Sequence, residues 1–262
     1  STTTVVVFSR TTIFTYINYI FYILIFLFMA NKMANNTVLI IIVVIIIIGA
    51  GVGAAVALSG KKDDNPSGNV TSGIFNNTFY GDSQNYTNSI KVASDRWSSY
   101  IVESVTINVK YQTFNDPSSS TLAYASMNDI NNIRGGGTIT INIGKASPPA
   151  GWDDVIEHEL GHVLGLPDST KWKNALITSG GTFLDASAFP LTAAAYYELV
   201  SGASGNIPLQ DGGNHWNETT FTTELMTPGI GSEAELITSK LTLTAMKEIG
   251  WDIDLSKAEP FP

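Results

Sequence analysis

The chain has 262 residues, of which 44% are hydrophobic, and its formal net charge is −9. This acidic balance argues against nucleic acid as a partner, because phosphate backbones bind clustered Lys and Arg. The absence of cysteine excludes a disulfide framework, a cysteine nucleophile and a thiolate metal site.

Two apolar runs, residues 13–30 and 38–58, dominate the N-terminal part of the chain. The second run, Val38 to Leu58, contains no charged residue and is long enough to span a bilayer. A cleaved signal peptide is the competing interpretation, with Ala55-Val56-Ala57 as its cleavage site. We expect residues 1–58 to form one or two transmembrane helices. The rest of the chain would then be anchored to a membrane outside the cytosol, or be secreted.

Residues 59–87 are rich in Gly, Asn, Ser and Asp, a composition that is typical of a flexible stalk. Beyond the apolar runs, four N-x-Ser/Thr glycosylation sequons agree with an external location, although such sequons arise by chance in an Asn-rich protein. They begin at Asn69, Asn76, Asn85 and Asn217.

Residues 88–262 carry the periodic patterns of a folded domain. We predict a helix over 89–101, strands over 105–111, 122–126 and 138–143, and then a helix that begins near Asp153. Further helices are expected over 192–200 and 242–249. This order of helix, sheet and helix predicts an α+β domain.

The helix that begins near Asp153 contains the pattern H-E-x-x-H. We expect Asp153 and Asp154 to cap its start, and Gly165 and Pro167 to end it. His158 and His162 are four residues apart, so both imidazoles project from one helix face and can bind one metal ion. Glu159 would then lie beside the metal, where it can accept a proton from a zinc-bound water.

A chance match within an amphipathic helix is the simplest competing interpretation of this pattern. The chain has only three histidines, however, and two of them belong to H-E-x-x-H. The third is in the stretch His215-Trp216-Asn217-Glu218, which is followed by Glu224-Leu225-Met226-Thr227.

Taken together, these stretches resemble the leishmanolysin-like family of zinc metalloproteases, which are metzincins. The similarity extends from about Trp97 to Trp251. It implies a metzincin fold, in which an N-terminal subdomain of twisted sheet and helices is separated by a cleft from an irregular C-terminal subdomain. It also implies a zinc endopeptidase whose protein or peptide substrate lies along an edge strand of the sheet. We predict that 138–143 is this edge strand.

The resemblance also assigns roles to individual residues. His158, His162 and His215 would bind Zn²⁺ and leave a fourth position for water. Glu159 would be the general base and later the proton donor to the leaving amine. Met226 would form a hydrophobic floor beneath the metal. The cysteine-dependent latency and the disulfides of the family have no counterpart here, and no tyrosine follows Met226 to stabilise an oxyanion.

Three alternatives remain open from the sequence. Asp168 occupies the position at which compact metzincins carry their third ligand, so it could replace His215. The domain could be a catalytically inactive module for binding or adhesion, although such a module has no chemical need for Glu159. It could also be a structural zinc protein, although three histidines without cysteine are more typical of an open, catalytic site.

Overall fold

The computed structural model describes residues 66–148, 150–179, 182–229 and 236–262. The transmembrane helices expected in residues 1–58 lie outside this part of the chain. Within the described ranges, every helix is too short or too polar to cross a bilayer.

A five-stranded mixed sheet forms the first half of the described fold, with the strand order β1-β2-β3-β5-β4. β2, β3 and β5 run parallel, and an antiparallel strand lies at each edge. The strands are β1 (Gly68–Ser72), β2 (Phe75–Phe79), β3 (Ile107–Phe114), β4 (Ala123–Met127) and β5 (Gly137–Asn142).

Six helices occur in the described residues, and the first two pack on each other beside this sheet. They are α1 (Thr87–Tyr100), α2 (Gly151–Val163), α3 (Thr170–Asn174), α4 (Pro190–Leu199), α5 (Glu218–Phe221) and α6 (Lys240–Ile249). The sheet and helices together confirm the predicted α+β class.

A second, smaller antiparallel sheet follows α2 and has the order β6-β7-β8-β9. Its strands are β6 (Leu176–Ile177), β7 (Phe183–Leu184), β8 (Ile207–Gln210) and β9 (His215–Trp216). Short 3₁₀ turns cover Gly81–Tyr86, Asp211–Gly213 and Leu255–Lys257.

The prediction of a flexible stalk is wrong for residues 68–87. β1 and β2 form a hairpin, and β2 pairs in parallel with β3. Phe75 and Phe79 lie on one face of β2, because alternate residues of a strand face the same side. Both side chains are buried in the core. Most other residues of this stretch are polar, so its overall composition does not reveal the two buried aromatic side chains. The folded domain therefore begins near Gly68 rather than at residue 88.

The prediction that 138–143 is the edge strand is also wrong. β5 lies between β3 and β4, so the two edge strands are β1 and β4. β4 comes earlier in the chain than β5 but is placed outside it, because β5 pairs directly with β3. Hydrophobic pattern identifies strands and does not give their order in a sheet.

α2 is held at both ends by side chains from elsewhere in the fold. At its start, the Arg96 guanidinium of α1 forms ion pairs with Asp153, Asp154 and Glu157 at 2.6–3.0 Å. At its end, the Trp251 indole donates to the carbonyl of Leu164 at 2.8 Å. α2 is therefore fixed along its whole length against its neighbours.

The prediction for the start of α2 is wrong, whereas the prediction for its end is confirmed. Ala150 is the N-cap residue, and no side chain caps the helix there. Asp153 and Asp154 lie instead in the first turn, where they favour the positive end of the helix dipole and bind Arg96. Gly165 adopts a φ of +113°, so the turn predicted at this glycine is confirmed.

We expect Arg96→Leu to destabilise the fold strongly, because it leaves the buried carboxylates of Asp154 and Glu157 without a cation. Since Arg96 itself is partly exposed, the loss should lie at the lower end of the range for broken buried pairs, about 3 kcal/mol. Urea unfolding would measure it. Lys91→Leu removes an exposed ion pair from the same helix and should change the free energy of unfolding by less than about 1 kcal/mol. An equal loss of unfolding free energy in the two variants would contradict the role of Arg96 in pairing with the buried carboxylates.

Candidate metal centre

The three histidines of the chain meet at one point, although they come from two different parts of the fold. α2 presents His158 and His162 on one face, and their Nε2 atoms are 3.0 Å apart. β9 brings His215 to the same place, with its ring centroid 5.2 Å from that of His158 and 5.1 Å from that of His162. One ligand atom from each residue lies within 4.8 Å of the other two, so this group could hold a metal ion.

Hydrogen bonds fix the orientation of each imidazole ring. His158 Nδ1 lies 2.7 Å from the carbonyl oxygen of Leu225, and His162 Nδ1 lies 2.5 Å from that of Leu166. His215 Nδ1 lies 3.2 Å from the Asp211 carboxylate. Because an oxygen acceptor requires a donor opposite it, each Nδ1 carries the hydrogen and each Nε2 carries a lone pair.

The lone pairs on Nε2 of His158 and His162 therefore face each other at 3.0 Å. Two lone pairs at this distance repel unless a proton or a cation lies between them. The surrounding protein disfavours the proton: burial, followed by the neighbouring imidazole, lowers the pKa of His158 to about 3 and that of His162 to about 4. Burial likewise lowers the pKa of His215 to about 4. Neutral rings in this arrangement are suited to a cation.

The chemistry of this donor set restricts which metal fits. Three neutral imidazole nitrogens suit Zn²⁺ and neighbouring transition metals, whereas Ca²⁺ and Mg²⁺ require oxygen ligands. In addition, each imidazole has an oxygen partner on its second nitrogen, as is usual for histidines that bind metals. The residues present therefore fit a transition-metal ion.

Glu159 lies next to His158 and lines the same cleft as the three histidines. Its side chain is only 6% exposed, and Oε2 has no hydrogen-bond partner among the described residues. Burial raises the pKa of this carboxyl to about 8. A cation held by the neighbouring imidazoles would lower that pKa, because an adjacent positive charge favours the carboxylate. Glu159 is thus placed to exchange protons within the cleft.

Met226 packs beneath the helix turn that separates the two histidines of α2. It is 2% exposed, and a Cβ atom added at Gly161 would lie 2.6 Å from its Sδ atom. The absence of a side chain at position 161 therefore allows Met226 to approach the helix this closely. This is the side of the site at which the resemblance places a hydrophobic floor.

Asp168, the alternative third ligand, lies at the rim of the cleft. Its carboxylate pairs with Lys173 at 2.9 Å and is 34% exposed. Within the described ranges, the group that could bind a metal consists of the three histidines and does not include Asp168.

A cleft of about 550 Å³ surrounds this group. Its lining includes residues 120–125, which contain the start of the edge strand β4. The lining also includes Asp211, Asn214 and the segment Thr227 to Gly229. No strand in the described part of the chain pairs with the outer edge of β4, which contributes Ala123, Tyr124 and Ala125 to the lining of the cleft.

Comparison of the sequence with models of protein families and with curated proteins finds no match.

The partners of the imidazole Nδ1 atoms were not identified from the sequence. Two of them are the backbone carbonyls of Leu166 and Leu225. Every residue has such a carbonyl, so the identity of the residue does not show which one binds a histidine. The third, Asp211, carries a weak signal, because it is an acidic residue four positions before a histidine. It adopts a φ of +52°, which is uncommon for residues other than glycine but is adopted by Asp more readily than by most residues.

We expect His215→Ala to weaken the binding of Co²⁺ or Zn²⁺ by more than about 100-fold, since it removes one of three ligands. Asp168→Ala should change this affinity by less than about threefold, because only the pair with Lys173 is lost. Titration against a metal-binding dye would measure both. Loss of metal binding in Asp168→Ala together with retained binding in His215→Ala would show that Asp168, rather than His215, is the third ligand.

We expect Gly161→Ala to destabilise the fold by about 1–3 kcal/mol, because the new methyl group overlaps Met226. The double variant Gly161→Ala, Met226→Ala should lose less free energy of unfolding than the two single variants added together. Strictly additive losses in urea unfolding would show that Gly161 and Met226 do not contact each other as described.

Proposed function

We propose that this protein is a zinc-dependent endopeptidase of the metzincin class. One observation carries the proposal: three imidazoles oriented for metal binding and a buried, unpaired carboxylate converge in one cleft, beside an unpaired strand edge. The α+β sheet and helices that position this cleft are compatible with the metzincin fold implied by the sequence resemblance.

His158, His162 and His215 would hold the Zn²⁺ ion. Three protein ligands are the usual number in a catalytic zinc site, which keeps a further position open. When bound, the ion supplies Lewis acidity, which polarises a carbonyl group and makes water a better nucleophile near neutral pH. The hydrogen bonds at Nδ1 of each ring would keep the three ligands in place.

Glu159 would move the protons of the reaction. As a carboxylate it accepts a proton from the attacking water, and as a carboxylic acid it donates that proton to the amine that leaves. Burial beside His158 raises the pKa of this carboxyl, and a cation at the three imidazoles would lower it, so the two effects oppose each other. The same burial argues against a catalytically inactive binding module, because an unpaired buried carboxylate is costly and would there have no use.

The substrate would be an extended segment of protein or peptide. A peptide backbone can pair with the outer edge of β4 and so cross the cleft in an extended conformation. The cleft is open enough to admit a chain, which favours a catalytic site over a closed structural zinc site.

The cellular location stays a prediction. We propose that residues 1–58 anchor the catalytic domain to a membrane and that the domain lies outside the cytosol, or that it is secreted. These residues lie outside the described part of the chain.

We expect Glu159→Gln to lower kcat on an unstructured protein substrate by about 10²–10⁴-fold, since the amide cannot accept the proton. Zinc content should stay at about one ion per chain, because the three imidazoles are unchanged. Release of fluorescence from a quenched substrate and elemental analysis would provide the two measurements.

Two controls belong with this experiment. Glu198→Gln replaces an exposed glutamate of α4, outside the cleft, and should retain full activity. A chelator should abolish wild-type activity, and added Zn²⁺ should restore it. Undiminished cleavage by Glu159→Gln, or by the chelated protein, would overturn the proposed function.

A further inference from the structure

Glu224 is a fully buried carboxylate that takes no part in the cleft. Its side chain is 0% exposed, and it does not line the cleft around the histidines. Among the described residues, no Lys, Arg or His is paired with it, and burial raises its pKa to about 7. A buried carboxylate without a cation is unfavourable unless hydrogen bonds compensate for the lost water.

The groups that compensate Glu224 come from two separate segments. The backbone N–H of Met226 donates to Oε2 at 2.9 Å. The backbone N–H and the hydroxyl of Ser239 donate to Oε1 at 3.3 and 2.9 Å. The Thr242 side chain lies beside this carboxylate and lowers its pKa. Because Ser239 is the N-cap residue of α6, Glu224 fastens the segment 224–227 to the start of α6.

The first consequence concerns His158. Leu225 lies between Glu224 and Met226, and both neighbours are fixed by the bond from Met226 N–H to the Glu224 side chain. The carbonyl of Leu225 is the partner of His158 Nδ1 at 2.7 Å. Glu224 therefore controls the position of the oxygen that orients this imidazole ring.

The second consequence concerns His215. Its neighbour Trp216 is 1% exposed, and the indole N–H donates to the Thr242 hydroxyl at 2.9 Å. The backbone N–H of Trp216 donates to the carbonyl of Met226 at 3.0 Å. Glu224 holds Met226 through its backbone N–H, so this bond ties the backbone next to His215 to the same carboxylate.

We infer that Glu224 is a positioning residue that aligns two metal ligands from different parts of the chain, His158 on α2 and His215 on β9. The inference rests on the proposed function, because it requires these histidines to bind a metal. Glu224 does not contact the metal position. It acts through Leu225 on one ligand and through Met226 and Trp216 on the other.

The variant Glu224→Gln tests this role. The amide keeps the shape of the side chain but turns an N–H₂ group toward groups that are themselves donors. We expect affinity for Zn²⁺, measured by competition with a chromophoric chelator on the full chain, to fall about 10–100-fold. The visible absorption bands of the Co²⁺-loaded protein should also shift, because they report ligand geometry and do not respond to a loss of stability alone.

Glu248→Gln is the matched control. It also converts a carboxylate that accepts backbone N–H groups into an amide, but Glu248 binds Leu191 and Thr192 at the start of α4 and does not line the cleft. Its Zn²⁺ affinity should stay within about twofold of wild type, with an unchanged Co²⁺ spectrum. Wild-type affinity and spectrum in Glu224→Gln would overturn the inference.

A second pair of variants decides the question if Glu224→Gln does not fold. Thr242→Val removes the hydroxyl that accepts from Trp216 and lies beside the Glu224 carboxylate, whereas Thr244→Val removes a buried hydroxyl of α6 that bonds only within its own helix. Thr242→Val should weaken Zn²⁺ binding roughly tenfold relative to Thr244→Val, and equal affinities would overturn the inference. Failure of the wild-type protein to bind Zn²⁺ or Co²⁺ would instead reject the proposed function.

Discussion

The site depends on one constraint, which is that three neutral imidazoles must direct their lone pairs at a single point. Such an arrangement is repulsive without a cation, so the rest of the fold has to hold the rings in place. It does so through the opposite nitrogen of each ring, which donates to an oxygen from Leu225, Leu166 or Asp211. These oxygens come from three different segments, and the geometry of the site is therefore a property of the whole tertiary structure.

The surrounding architecture serves to immobilise these segments. Arg96 and Trp251 fix the two ends of α2, and the β8–β9 pairing sets the position of His215. Met226 reaches the underside of α2 because residue 161 is a glycine. Stability and site geometry therefore depend on the same contacts, since any shift of α2 moves two of the three histidines.

Features that depend on local spacing were predictable from the sequence. The four-residue spacing of His158 and His162 placed both rings on one helix face, and the scarcity of histidine pointed to His215. Features that depend on distant pairing were not. The order of β4 and β5 was misjudged, and β1 and β2 were taken for a stalk because Phe75 and Phe79 are surrounded by polar residues. The oxygen partners of the rings are mostly backbone atoms, which residue identity cannot reveal.

The separation of the ligands along the chain affects how much a bound metal ion would stabilise the fold. His158 and His162 belong to one helix, whereas the path from His162 to His215 passes through α3, the strands β6 to β8 and α4. A metal ion bound to all three joins the ends of this path, as a disulfide would in a chain that has no cysteine. By the chain-entropy relation for cross-links, closing a loop of about fifty residues is worth about 4 kcal/mol. A metal ion bound by the three histidines would thus also hold the second sheet to the first half of the domain.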